Sequence, residues 1–351
     1  MPDLKDIEYA SDREQGAGGG MERIQEEVMQ KLLYAKRSGL IAGLLIFMTG
    51  IVGADASKVI KTDYPLTRLN DRLYVIYGPV SEPTIANQGF RNNIIFVISS
   101  EGVVVMDPGT SVYVGDMALK KIRGITDKPV VAVFNSHAHG DHWLGNQAFS
   151  QANPGIDIYA HANMIKQANE GEGDRWIKLF NEATANAVAG TKPVVPNKVV
   201  KDGDVIRIGD LSFRIHHTGL AHSENDIMVE IPELKAILTG DIVRNGMVGI
   251  SSSSFKGNIA AIDRAMQTGA TLYVPGHGKA GGQEVASTYR HFLDTLRSTV
   301  TTEYNAGKSD FEMKPTVVGA LKSYTGWVRF NEHIGRLVSL AYLEVEAEAF
   351  Q

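Results

Sequence analysis

The run "PVVAVFNS" at residues 129–136 reads as a buried strand from its β-branched content, and it leads directly into "HAHGDH". His137, His139, Asp141 and His142 fall within six residues, with Ala138 and Gly140 between them. In a tight loop after a strand, positions i, i+2, i+4 and i+5 converge on one point. Imidazole nitrogen and carboxylate oxygen suit zinc and neighbouring first-row metals. A metal site needs more than one loop, so the fold must bring other donors to this strand end. Three later places supply candidates: His222 in "GLAHSEND", Asp241 in "LTGD" and His277 in "VPGHG". Each reads as lying just after a strand, with Gly or Ala alongside to allow close backbone approach.

The rest of the pattern says what fold does this. "LYVIYG", "IIFVIS", "GVVVMD", "DIYA", "DVIRIG", "LSFRIHH", "DIMVEIP" and "AILTG" read as strands bounded by turn residues. Helical spacing marks residues 112–124, 257–268 and 282–305, and 161–189 reads as helical or mixed. The tail, 315–350, presents an apolar face through Trp327, Phe330, Ile334, Leu337, Leu340 and Tyr342. The strands come in two blocks, each followed by helices, with no linker between them. The expected fold class is α/β: two packed mixed sheets with outer helices, over residues 57–305, plus a C-terminal helical extension, 306–351.

Residues 1–28 are polar and Gly-rich and read as disordered. Residues 29–56 have the anatomy of a secretory signal: Lys31, Lys36 and Arg37, an apolar run over 40–53, then the small-x-small site Ala54-Asp55-Ala56. Met29, or Met21, gives a leader of ordinary length. The mature chain is expected to begin near Ser57, exported to a periplasm and not embedded in the membrane. The 351 residues hold no cysteine, which removes disulfides, thiolate ligands and a cysteine nucleophile together. A net charge of −5 gives no basic footprint for nucleic acid.

His137-x-His139-x-Asp141-His142 followed by His222, Asp241 and His277 resembles the metallo-β-lactamase superfamily, and "GVVVMDPG" resembles the strand and turn ahead of that family's metal loop. The resemblance runs from about residue 72 to 305. It implies an αββα sandwich with a binuclear zinc site between the sheet edges. By resemblance, His137, His139 and His222 hold metal one, Asp141, His142 and His277 hold metal two, and Asp241 bridges both. With no cysteine, the donor set is nitrogen and oxygen only, as in glyoxalase II-like hydrolases and lactonases. "NQGFRNNIIFVIS", "GLAHSEND" and the helical tail are similar to exported metallohydrolases associated with quinoprotein and sulfur-oxidation systems.

Two zinc ions sharing a hydroxide lower the pKa of bound water to about 7, so no protein nucleophile is needed. Asp141 is then the catalytic carboxylate that orients the hydroxide, and Arg244, three residues past Asp241, is the candidate contact for a substrate anion. The leading expectation is hydrolysis of a small-molecule ester, thioester or lactone. Three alternatives stay open: a β-lactamase, a mononuclear iron persulfide dioxygenase, and a non-catalytic metal-binding partner of a periplasmic redox system.

Overall fold

The hydrophobic runs form strands that are covered on both faces. In β3 (Ile94–Ile98), Ile95 and Val97 face one core while Ile94 and Phe96 face another, as period-two geometry requires. The computed structural model describes residues 59–249 and 254–350. The polar segment 1–28, the expected leader 29–56 and the centre of the Gly- and Ser-rich stretch 245–258 lie outside the described residues.

One sheet contains β1 (Leu66–Arg68), β2 (Leu73–Ile76), β3, β4 (Val103–Met106), β5 (Val130–Phe134), β6 (Asp157–His161) and β7 (Lys198–Val200), in that spatial order. Its first three pairings are antiparallel and its last three parallel. The other contains β8 (Val205–Ile208), β9 (Leu211–His216), β10 (Met228–Ile231), β11 (Ala236–Arg244) and β12 (Leu272–His277), ordered β12-β11-β10-β9-β8, with only β11 and β12 parallel. Val97 and Phe134 from the first sheet pack with Phe213, Val229, Leu238 and Val274 from the second. Phe134 stacks on Phe213 across the interface, ring centroids 5.5 Å apart.

Helices α1 (Val112–Arg123), α2 (Gly140–Trp143), α3 (Asn146–Ala152), α4 (Ala162–Asn169) and α5 (Glu172–Thr184) belong to the first half. The Ser111 side chain caps α1, accepting from the Val114 amide, and Val114, Ala118, Leu119 and Ile122 turn its apolar face onto the first sheet. Burying each of Val114, Leu119 and Ile122 contributes about 1.5–3 kcal/mol relative to exposure. The outer face of the second sheet is covered by α6 (Phe255–Gln267), α7 (Gln283–Asn305), α8 (Asp310–Ala320) and α9 (Phe330–Ala349). The result is the αββα sandwich. Phe330, Ile334, Leu337, Val338, Ala341 and Val345 of α9 join the same core as Ile237, Tyr273 and Phe292. Among the described residues no helix is long and apolar enough to cross a membrane.

Four local expectations are corrected, the first being that His277 closes β12 rather than following it. Asp241 does not follow a strand but lies inside β11, which continues to Arg244 because Gly240, at φ +51°, takes up a register shift against β12. Asp141 and His142 sit on the short helix α2 rather than in a loop. Trp327 lies in the turn before α9 and not on the helical face.

The sheets are clipped together where these elements end. The Ile227 amide donates to the Ser136 carbonyl (2.8 Å), and the Ala138 amide to Asn225 Oδ1 (3.0 Å). The Asn93 side chain donates to the carbonyls of Pro275 (2.8 Å) and Gly278 (2.7 Å). A Cβ on Gly240 would stand 2.6 Å from that of Ser136, so only glycine lets β11 approach the histidine strand this closely.

Candidate metal centre

All seven expected donors converge, in two groups. His137, His139, His222 and Asp241 offer donor atoms within 4.8 Å of one another, and Asp141, His142 and His277 do the same. In the first group, His139 Nδ1 lies 2.9 Å from His137 Nε2 and 3.0 Å from His222 Nε2. Asp241 Oδ2 lies 3.7 Å from His222 Nε2 and 4.0 Å from His137 Nε2. In the second, Asp141 Oδ2 is 3.7 Å from His142 Nε2 and 3.4 Å from His277 Nε2. Asp241 Oδ1 is 3.4 Å from each of those two nitrogens. Asp241 therefore turns one oxygen toward each group.

These spacings fit a metal. Donors about 2.0–2.1 Å from a tetrahedral zinc stand about 3.3 Å apart, within the observed range. Two of the atoms, His142 Nε2 and Asp241 Oδ1, are buried with no hydrogen-bond partner, a state proteins avoid unless an ion or water completes it.

The outer hydrogen bonds fix the imidazole tautomers. His277 Nδ1 donates to the Arg91 carbonyl (3.0 Å), which can only accept. His142 Nδ1 donates to Asp107 Oδ2 (2.9 Å). The Ser136 hydroxyl donates to the same oxygen (2.7 Å), so it accepts from His137 Nδ1 (2.9 Å). In each neutral ring Nε2 is left as a lone pair aimed at the centre, the usual arrangement behind a metal-bound histidine. Asp107 does this from a left-handed backbone, φ +54°, a conformation that costs a non-glycine residue about 1–3 kcal/mol and clusters at functional sites.

Electrostatics point the same way. Burial drives His137 and His222 well below the ordinary histidine range, and the neighbouring His142 and Arg244 respectively add to it. His139, partly open to the cleft, is drawn down to about 4, chiefly by loss of solvent. Burial also disfavours the His142 cation, but Asp241, Asp141 and Asp107 outweigh it and push that ring up to about 9. Burial likewise opposes charge on Asp141 and Asp241, yet His142 and Arg91 hold the first, and Arg244 and His277 the second, well below the carboxylate range. The carboxylates thus gather negative charge at the point on which the histidine nitrogens converge.

The cleft above has a volume of about 150 Å³ and is lined in part by Arg91, Trp176, Arg244, Arg329, His333 and Arg336. Arg244 spends Nη2 (2.6 Å) and Nε (3.2 Å) on Asp241 Oδ2, so two of its three guanidinium nitrogens face the carboxylate. Asp107 is a supporting group that sequence reading missed. The only signal for Asp107 was the Asp-Pro-Gly turn ending β4. Phe90 packs in the core. His216 pairs with Glu230 (2.7 Å), and His217 with the Asp226 carbonyl (2.8 Å), away from the donor groups.

A family model described as the metallo-beta-lactamase superfamily matches residues 88–277. Metallo-beta-lactamase IND-1 of Chryseobacterium indologenes is 24% identical over 231 residues, 64% of this chain and 85% of that one. Acyl-coenzyme A thioesterase MBLAC2 of Bos taurus is 28% identical over 173 residues, 45% of this chain; the chain spans 60% of the thioesterase's length. Among solved structures, a metallo-beta-lactamase from Pontibacter korlensis superposes with a TM-score of 0.54 at 20% identity, over 66% of this chain and 99% of that one. The sec-alkylsulfatase Pisa1 from Pseudomonas sp. gives 0.60 at 15% identity, over 80% of this chain and 50% of that one. At these identities the structural likenesses speak for the fold.

Proposed function

The chain belongs to the metallo-β-lactamase superfamily of metal-dependent hydrolases, and on that premise we propose a two-zinc enzyme that hydrolyses an ester, thioester or lactone after export to the periplasm. The observation that carries it is Asp241, with Oδ2 facing His137 and His222 and Oδ1 facing His142 and His277. His137, His139 and His222 hold the first ion in this reading, Asp141, His142 and His277 the second, and Asp241 both. Bound zinc supplies a Lewis acid and water activated near neutral pH.

The protein's part is to hold these groups still. Asp107, Ser136 and the Arg91 carbonyl lock three imidazoles in the tautomer that points inward. Asp141, placed at the cleft wall, accepts a hydrogen bond from the attacking water and so orients it. Arg244 balances the Asp241 charge and leaves Nη1 for a substrate anion. Residues 57–305 form the hydrolase domain in this reading, and 29–56 the leader removed on export.

The test is elemental analysis of the purified mature chain with a panel of thioester, lactone and cephalosporin substrates. About two zinc per chain and turnover of a thioester or lactone are expected. One iron per chain, or turnover confined to the cephalosporin, overturns the reading. N-terminal sequencing of exported protein should begin near Ser57.

A further inference from the structure

The helical tail does more than complete a core. Arg329 caps the start of α9, His333 and Arg336 lie on its first turns, and all three line the cleft that contains Asp141 and Asp241. Their placement is built. The Val248 amide donates to the Val328 carbonyl (3.0 Å) and the Val328 amide to the Gly246 carbonyl (3.0 Å). These bonds fasten the start of α9 to the segment that follows Arg244. Arg329 takes a left-handed backbone, φ +67°, which glycine adopts without strain. An arginine kept there is a candidate for a role beyond turning the chain.

The charges in the cleft do not cancel. Its two lining carboxylates already have cations: Asp141 faces Arg91 (3.6 Å) and Asp241 faces Arg244 (2.6 Å). Arg329 leans on Glu82 and stands 3.6 Å from Glu332. Arg336 is exposed, and among the described residues it has no carboxylate at ion-pair distance. His333 Nε2 is buried without a hydrogen-bond partner, whereas Arg329 Nε and Arg91 Nε, also without hydrogen bonds, stand 3.6 Å from Glu332 and Asp141. An ordinary solvated helix face does not bury an unpaired nitrogen, as His333 does beside this cleft.

We propose that the first turns of α9 form an anion subsite of this cleft, in which Arg336, His333 and Arg329 hold an oxyanion that the substrate carries apart from its scissile bond. The proposal deepens the hydrolase reading and rests on it for the word substrate. The shared chemistry is a carboxylate, sulfate or phosphate group. Arginine offers paired donors to any of these. The subsite comes from a segment beyond the residues the family model matches, so it is a property of this chain's tail.

Two arms test it on the full mature chain. In the first, sulfate is titrated calorimetrically into wild type, metal-loaded and chelated, and into Arg336→Ala, Arg336→Lys, Arg336→Glu and His333→Ala. Sulfate should bind the wild type in both metal states. Affinity should fall about tenfold in Arg336→Ala and His333→Ala, the loss of one charge-assisted hydrogen bond. It should vanish in Arg336→Glu and recover partly in Arg336→Lys. In the second, 4-acetoxybenzoate and monophenyl succinate are compared with phenyl acetate. The ratio of anionic to neutral kcat/KM should drop about tenfold in Arg336→Ala, through KM. Arg68→Ala, an exposed cation paired with Asp71, should leave the ratio unchanged. Sulfate binding that is absent, or insensitive to all four variants, overturns the subsite even if esters are cleaved. If the sulfate pattern holds while the wild type cleaves no ester, the subsite stands and the hydrolase reading falls.

Discussion

The floor of the cleft and its rim are built on opposite principles. On the floor, the histidine and aspartate side chains other than His139 are buried, and each histidine whose outer nitrogen has a partner is held from behind by a carboxylate, a hydroxyl or a carbonyl. On the rim, arginines arrive from three separate elements, and buried nitrogens on two of them and on His333 make no hydrogen bond. A floor arranged in this way is committed before anything binds, so a change there affects every substrate alike. A rim with donors left over is committed to nothing until a ligand arrives, so changes there sort one substrate from another.

The largest test of this contrast is Asp241→Asn, which keeps the shape of the group and removes its charge. Metal content should fall in both positions, and turnover should drop by more than the roughly 100-fold that an outer partner costs. Two tightly held metals with near-normal kinetics would remove Asp241 from the centre of the floor. Next is Asp107→Asn. It should weaken metal binding about 10- to 100-fold in a chelator competition, because His142 loses its carboxylate directly and His137 loses its orientation through Ser136. An unchanged affinity breaks the claim that the floor is held from behind.

A thermal-melt series in chelator sharpens the same point. His139 is depressed to about 4 in the folded chain, so its contribution is present above the unfolded value of about 6.5 and is lost as pH falls through 4. His142 is raised to about 9, so its contribution is complete below about 6.5 and is lost as pH rises through 9. The metal-free protein should be most stable near pH 6.5 and lose stability on both sides. A steady rise in Tm from pH 5 to 9.5 would contradict it. The smallest effect is expected at Arg91, which belongs to both regions: its carbonyl holds His277, while its side chain stands 3.6 Å from Asp141. Arg91→Ala keeps the carbonyl, so metal content should stay at the wild-type level while KM for an anionic substrate rises about threefold. Loss of metal in that variant would mean that the side chain, too, is part of the floor.

The floor was legible in the sequence because its chemistry is compressed. Four donors in six residues leave little room for another reading, and His222, Asp241 and His277 each stand beside Gly or Ala near a strand end. Asp107 was not legible. In "MDPG" an aspartate reads as a turn former, and only the parallel pairing of β4 with β5 brings it under Ser136. The continuation of β11 through Asp241 was hidden for a related reason, since Thr-Gly-Asp looks like a strand end until a left-handed Gly240 carries the strand onward. The three-residue strands β1 and β7 are too short to show alternation. The rim was the least visible part. Arg329, His333 and Arg336 have the spacing of any solvated helix face, and what turns them to the cleft is apolar packing and two backbone hydrogen bonds to residues some 80 positions earlier.

Those two bonds, between Val328 and the segment Gly246–Val248, set a gauge. The wall they fasten cannot swing outward on this side without breaking both and lifting Phe330 and Ile334 from their core. The opening beside the donor groups, about 150 Å³, therefore has one wall whose position is set by core packing. A substrate meets that wall in one position whatever its charge, so the tail gives the opening part of its outline as well as supplying cations.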